Sequence, residues 1–293
     1  MRKLLGFALV TALLAVSCAL INPSSSSQTP AESQTAAMAE LHKDDMPIAS
    51  PAAKDVAPDA VTTEDVTYGS QDGTPFMGYL AKPTEATSPL PGIIVIQEWW
   101  GLNDNIRTMT RRLAAEGYTA LAVDLYDGAV AETRDEAKTL VQAAIQNSDR
   151  LTQNVVAAYN YLVDEQQTPK VGSIGWCFGG SWSLNMALAL PTELDAAVIY
   201  YGGQISTDPA VLEPLQMPIQ GHFGSLDSTP SPETVQSFET ALNDLDKQSE
   251  IYMYEGANHA FANPSGTRYN AEAAELAWDR TVTFLKEHLQ DNA

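Results

Sequence analysis

The sequence predicts an α/β domain with a mostly parallel sheet and helices on both faces. Three observations carry that reading. Short, continuously apolar runs such as Gly92-Ile93-Ile94-Val95-Ile96-Gln97 have the length of strands buried on both faces. Longer segments with apolar residues at helical spacing lie between such runs. The two kinds of segment alternate from Val61 nearly to the end of the chain, which is the signature of a sheet wound with crossover helices.

Val66–Tyr68 and Pro75–Ala81 flank Gly69-Ser70-Gln71-Asp72-Gly73 and read as a hairpin. Gly92–Gln97 is the first buried strand, followed by an amphipathic helix over Asn105–Glu116 with Ile106, Met109 and Leu113 on one face. Thr119–Asp124 is the next strand, and helices follow at about Glu132–Gln146 and Leu151–Glu165. Val171–Gly175 is a strand and Ser181–Leu190 a helix. Strands at Ala196–Tyr201 and Ile219–Phe223, a helix at Glu233–Asp246, a strand at Glu250–Tyr254 and a closing helix at Glu272–Leu289 complete the pattern. The folded domain is thus expected over residues 61–293.

The N-terminal part reads differently. Arg2 and Lys3 precede an apolar run from Leu4 to Val16, the pattern of an export signal and too short for a permanent span, which needs about 20 apolar residues. It ends in Ala15-Val16-Ser17-Cys18, which resembles a bacterial lipobox, so residues 1–18 are expected to direct export and Cys18 to carry lipid. Cleavage to a plain secreted protein is the alternative. Residues 19–60 are rich in Ser, Thr, Gln, Pro and Ala without a sustained apolar period, and are expected to form a flexible tether. A periplasmic or membrane-anchored location follows as an expectation, with the domain a monomer. The 37 acidic against 16 basic side chains, net −21, repel nucleic acid and exclude it as a partner.

The sequence holds two cysteines, Cys18 and Cys177. With Cys18 cleaved off or lipidated, Cys177 is an unpaired thiol in an exported protein and calls for an explanation. Gly175-Trp176-Cys177-Phe178-Gly179-Gly180 lies between a strand and a helix, the context of a nucleophile elbow with Cys in place of Ser. The helix N-terminus beneath such a thiol favours the thiolate. Of the four histidines, His42 falls in the tether, His288 near the end of the last helix and His222 inside a strand, where it reads as structural. His259 stands in the loop after the strand Glu250–Tyr254, where catalytic groups of open α/β sheets collect, and is the expected base. Asp227, just past the strand Ile219–Phe223 and between nucleophile and base in chain order, is the expected orienting acid.

Gln97-Glu98-Trp99-Trp100-Gly101 follows the first buried strand and should approach the elbow. The N–H groups of Trp99 and Phe178 are candidates for an oxyanion hole. Glu98 is either a partly desolvated proton acceptor for the thiol or a pocket carboxylate without a chemical role. Trp100 reads as pocket wall. No pair of histidines shows metal-ligand spacing, so neither metal nor cofactor is expected.

These pieces, together with Asp124-Leu125-Tyr126, Tyr200-Tyr201-Gly202, Gly224-Ser225-Leu226-Asp227 and His259-Ala260-Phe261, resemble the dienelactone hydrolase family over about residues 61–290. The resemblance implies an α/β-hydrolase fold and a Cys177–His259–Asp227 triad without cofactor. It also implies that Glu98 contacts the resting thiol and takes its proton as substrate binds. The implied reaction cleaves a small ester or lactone through an acyl-enzyme. Family members acting on dienelactone have an arginine four residues after the histidine, where this chain has Asn263. Arg268 is a candidate substitute, and Arg134 a candidate for the family's other substrate arginine. A glutamine-amidotransferase-like thiol enzyme would have His after the cysteine, where Phe178 stands. A non-catalytic lipoprotein of the same fold is the other alternative.

Overall fold

A computed structural model describes residues 30–45, 54–86 and 88–290. The expected export signal, Cys18 included, lies outside the described residues. The sheet has eight strands in the order β1-β2-β4-β3-β5-β6-β7-β8. Its antiparallel edge is a hairpin of β1 (Val61–Gln71) and β2 (Thr74–Pro83), which continues further than the alternation alone suggests. β2 joins β4 (Thr119–Val123) antiparallel; from there β3 (Gly92–Ile96), β5 (Val171–Trp176), β6 (Ala196–Tyr200), β7 (Ile219–Gly224) and β8 (Ser249–Tyr254) all run parallel. Every residue of β3 to β7 is buried, as continuous apolar runs require of a sheet covered on both faces.

The covering helices are α2 (Asp104–Ala115), α3 (Arg134–Gln146), α4 (Ser148–Asp164), α5 (Phe178–Ala189), the single turn α6 (Pro209–Leu212), α7 (Pro232–Asp244) and α8 (Ala271–Leu285), which runs on into a wider turn at Lys286–Gln290. Side-chain caps set several starts: Asn103 accepts from Ile106 N–H, and Thr133 with Glu136 closes a reciprocal capping box. Helix α5 begins at Phe178, three residues before the pattern in the sequence suggests, because the elbow leaves no loop between nucleophile and helix.

One expectation needs correcting. Within residues 19–60, read as a tether, Pro30–Leu41 forms a helix, α1, followed by a turn at residues 42–45. The helix lies on α3, where Gln142 Nε2 donates to Thr35 Oγ1 at 3.1 Å; its Met38 and Ala39 are buried, as is His42 in the turn. It lacks a strong amphipathic stripe and depends on docking for its order, so periodicity does not announce it.

Candidate active site

Four loops converge at the carboxyl ends of β3, β5, β7 and β8, the place where open parallel sheets present their chemistry. The elbow follows β5. Cys177 takes φ 56° and ψ −113°, a conformation that L-residues avoid and that only surrounding structure sustains. Its tightness explains the flanking glycines. A Cβ on Gly175 would sit 2.0 Å from the carbonyl oxygen of Gly179, and one on Gly179 would sit 2.2 Å from that of Ile96. The Cys177 side chain is fully buried.

His259 Nε2 lies 3.2 Å from Cys177 Sγ, and its Nδ1 lies 2.8 Å from Asp227 Oδ2. The other oxygen of Asp227 accepts the Thr229 N–H at 2.8 Å, which fixes the carboxylate. Burial is the strongest influence on both reactive groups and opposes charge on each, yet the partners overcome it. The His259 imidazolium and the neighbouring His42 pull the thiol down to about 6. The Asp227 carboxylate and the thiolate push His259 up to about 10. Each partner thus favours the charged form of the other.

Glu98, 3% exposed, follows β3. Its Oε2 accepts from Asn263 Nδ2 at 2.6 Å, while Oε1 has no hydrogen-bond partner among the described residues. Burial, and then the charge on Cys177, pushes its carboxyl up to about 8. No hydrogen bond joins Glu98 to the thiol among the described residues: the thiol meets His259, and Asn263 holds the carboxyl. Phe178 is the first residue of α5, so its N–H has no acceptor within the helix, and Trp99 is adjacent to Glu98. Trp100 is buried edge-on against Trp99, with ring centroids 4.8 Å apart, and is wall as expected. His222 is structural: Nδ1 meets the Tyr254 hydroxyl at 2.8 Å and Nε2 meets Gln220 Oε1 at 2.9 Å, and burial lowers it to about 3.

The candidate substrate arginines do not stand free in the site. Arg134 starts α3 with a 43% exposed side chain, paired among the described residues only with its neighbour Asp135 at 3.7 Å. Arg268 is committed to the protein, donating from Nε to the His259 carbonyl at 2.9 Å and from Nη2 to Asp45 at 2.8 Å. Asn263 is occupied with Glu98 and Ser265. A cavity of about 160 Å³ lies beside Glu98, Tyr201 and Asn263, walled by Ile106, Met109 and Trp278. It does not reach Cys177.

The residue that sequence reasoning missed is His42. It is fully buried, with Nε2 3.7 Å from Cys177 Sγ and Nδ1 2.7 Å from Asp45 Oδ2. Ligand atoms of His42, Cys177 and His259 lie within 4.8 Å of one another, a His₂Cys set of the kind that holds zinc, although no two of them are near in sequence. The spacing of His42 and Asp45, three residues apart, is a weak local signal.

Fold and site together define an α/β-hydrolase with a buried thiol at the elbow. The dienelactone hydrolase family model matches residues 76–289, and the chain belongs to that family. It is accordingly an enzyme of the carboxylic ester and lactone hydrolase class. It is 32% identical over 263 residues to a "Putative carboxymethylenebutenolidase" of Saccharolobus solfataricus, covering 76% of this chain and 98% of that one. It is 33% identical over 227 residues to "Protein usf" of Aquifex pyrophilus, covering 75% and 96%. Among solved structures, a dienelactone hydrolase-like promiscuous phosphotriesterase from metagenomic libraries superposes with a TM-score of 0.71 at 25% identity, covering 78% of this chain and 99% of that one.

Proposed function

We propose that the chain hydrolyses a small carboxylic ester or lactone through a thioester on Cys177, with His259 and Asp227 completing the triad. The observation that carries this reading is the continuous path from Asp227 through His259 to Sγ, at 2.8 and 3.2 Å. The thiolate attacks the carbonyl carbon, and the N–H groups of Trp99 and Phe178 receive the charge that develops on its oxygen. The His259 imidazolium gives its proton to the leaving oxygen, and the acyl group remains on sulphur until water removes it. Near neutrality Glu98 is a carboxylic acid, so it adds no second negative charge beside the thiolate.

With Arg268 bound to Asp45, Asn263 to Glu98 and Arg134 at the start of α3, none of the three candidates offers a free fork to a substrate carboxylate beside Cys177, which favours neutral esters and lactones over dienelactone. The test is hydrolysis of p-nitrophenyl acetate, the neutral lactone dihydrocoumarin and dienelactone by the full chain, with and without prior iodoacetamide. Thiol-sensitive turnover of the two neutral substrates, faster than that of dienelactone, supports the reading. Turnover that survives alkylation of Cys177 refutes the thioester. We further propose, from the sequence of residues 1–18, that a monomeric enzyme is exported and anchored through lipid on Cys18. Loss of membrane retention in Cys18→Ala is the expected outcome in a cell fractionation.

A further inference from the structure

A second histidine–aspartate pair faces the nucleophile, and the acylation chemistry above does not use it. His42 and Asp45 come from the turn after α1. Asp45 is held as firmly as Asp227: its carboxylate accepts the Thr267 N–H at 2.8 Å, the Thr267 hydroxyl at 2.7 Å and Arg268 Nη2 at 2.8 Å. The His42 ring lies over Trp99, with centroids 4.6 Å apart, so its orientation is fixed by packing as well. A histidine kept only for structure looks different. His222 has protein partners on both nitrogens, whereas His42 commits Nδ1 to Asp45 and turns Nε2 toward the reactive sulphur.

The two imidazoles divide the work. Their nitrogens are within 4.8 Å of each other, and two protonated rings at that distance repel. His259 is the one placed to hold the proton. It is nearer the sulphur, at 3.2 against 3.7 Å, and Asp227 pairs with no cation but His259 among the described residues. Asp45, in contrast, divides its charge between His42 and Arg268. His42 Nδ1 is taken up by Asp45 Oδ2 at 2.7 Å and Arg268 Nη2 at 3.1 Å, which leaves Nε2 as the nitrogen that faces the site.

We propose that His42, oriented by Asp45, is a second catalytic base that activates the water hydrolysing the acyl-enzyme. The inference rests on the thioester reading above. Opening a lactone leaves the departing oxygen tethered to the acyl group, protonated by His259 and still within its reach. That nitrogen is then occupied, and His42 Nε2 is the free base beside the thioester. As the water oxygen bonds to the carbonyl carbon, one water proton passes to His42. Collapse of the tetrahedral intermediate breaks the carbon–sulphur bond and returns the thiolate. The new carboxylic acid gives its proton to His259, restoring the imidazolium, and His42 releases its proton to solvent.

The experiment compares the full-length chain with its His42→Ala, His42→Gln and Asp45→Asn variants on dihydrocoumarin and p-nitrophenyl acetate. The expected result is a roughly 10²-fold fall in kcat for the lactone in both His42 variants. The acyl-enzyme should accumulate on Cys177 in quenched mass spectra, and added imidazole should partly restore His42→Ala. For p-nitrophenyl acetate, whose leaving group departs and frees His259, the fall should be no more than about tenfold. Equal losses on both substrates without acyl-enzyme build-up or rescue would overturn the proposal in favour of a structural role. Rates unchanged or raised would overturn it in favour of a segment that only covers the thiol. If the unmodified chain forms no acyl-enzyme with either substrate, the thioester reading falls, and this one with it.

Discussion

Two histidine–aspartate pairs meet at one sulphur, and they are built in opposite ways. His259 and Asp227 stand on loops at the ends of β8 and β7, so the parallel sheet sets their positions. His42 and Asp45 belong to a short segment outside the sheet, held by the loop residues Thr267 and Arg268 and by contact with Trp99. The first pair follows from the fold, and the second depends on docking. The difference teaches that an active site can be completed by a segment with no strong structural preference of its own, provided that its anchors are polar, buried and matched.

Removing the sulphur is the largest expected perturbation. Cys177→Ala should reduce kcat/KM at least about 10⁴-fold with the melting temperature preserved, since without Sγ no acyl-enzyme forms for either pair to act on. Asp227→Asn, which spoils only the sheet-borne pair, should cost about 10³-fold or more in kcat. Comparable losses from Asp227→Asn and Asp45→Asn on p-nitrophenyl acetate would contradict the division between the pairs.

Gly179→Ala separates the scaffold from the chemistry. Its Cβ would lie 2.2 Å from the Ile96 carbonyl oxygen, between the elbow and β3. Thermal unfolding should show a destabilisation of about 3 kcal/mol, with the elbow distorted as well.

The pH profile sharpens the pairing. The thiol's value is lowered to about 6, so the thiolate forms as pH rises through that point and activity climbs. The imidazole's value is raised to about 10, so the imidazolium is lost above it and activity falls. Between these limits Glu98 ionises near 8 and adds a negative charge beside the thiolate. Glu98→Gln, which cannot ionise, should therefore change activity by less than about tenfold near neutrality and flatten the alkaline side of the profile. A profile unchanged by Glu98→Gln would show that this carboxyl does not sense the nucleophile. The smallest effect expected is from zinc chloride: inhibition at micromolar levels, weakened in His42→Ala because one of the three ligands is gone.

What the sequence reveals and what it hides divide along the same line as the two pairs. The buried strands, the elbow with its glycines and the order Cys177, Asp227, His259 are local patterns with physical causes, and each appears where those causes place it. Helix starts shift where caps and the elbow decide them, as at Phe178. His42 escapes because nothing in residues 30–45 carries strand or helix periodicity, and its partner contacts span 135 positions to Cys177 and 226 to Arg268. The role of Asn263 is hidden for the same reason: its hydrogen bond to Glu98 crosses 165 positions. Pairings across such distances are properties of the fold and leave no trace in spacing.

The central claim is a covalent acyl group on Cys177, served by His259. The most direct measurement is quenched-flow mass spectrometry of the full chain mixed with p-nitrophenyl acetate. A base-labile acetyl group on the peptide containing Cys177, formed at the rate of the nitrophenol burst and absent in Cys177→Ala, is the predicted result. Nitrophenol release with no adduct on that peptide, and undiminished in Cys177→Ala, would contradict it.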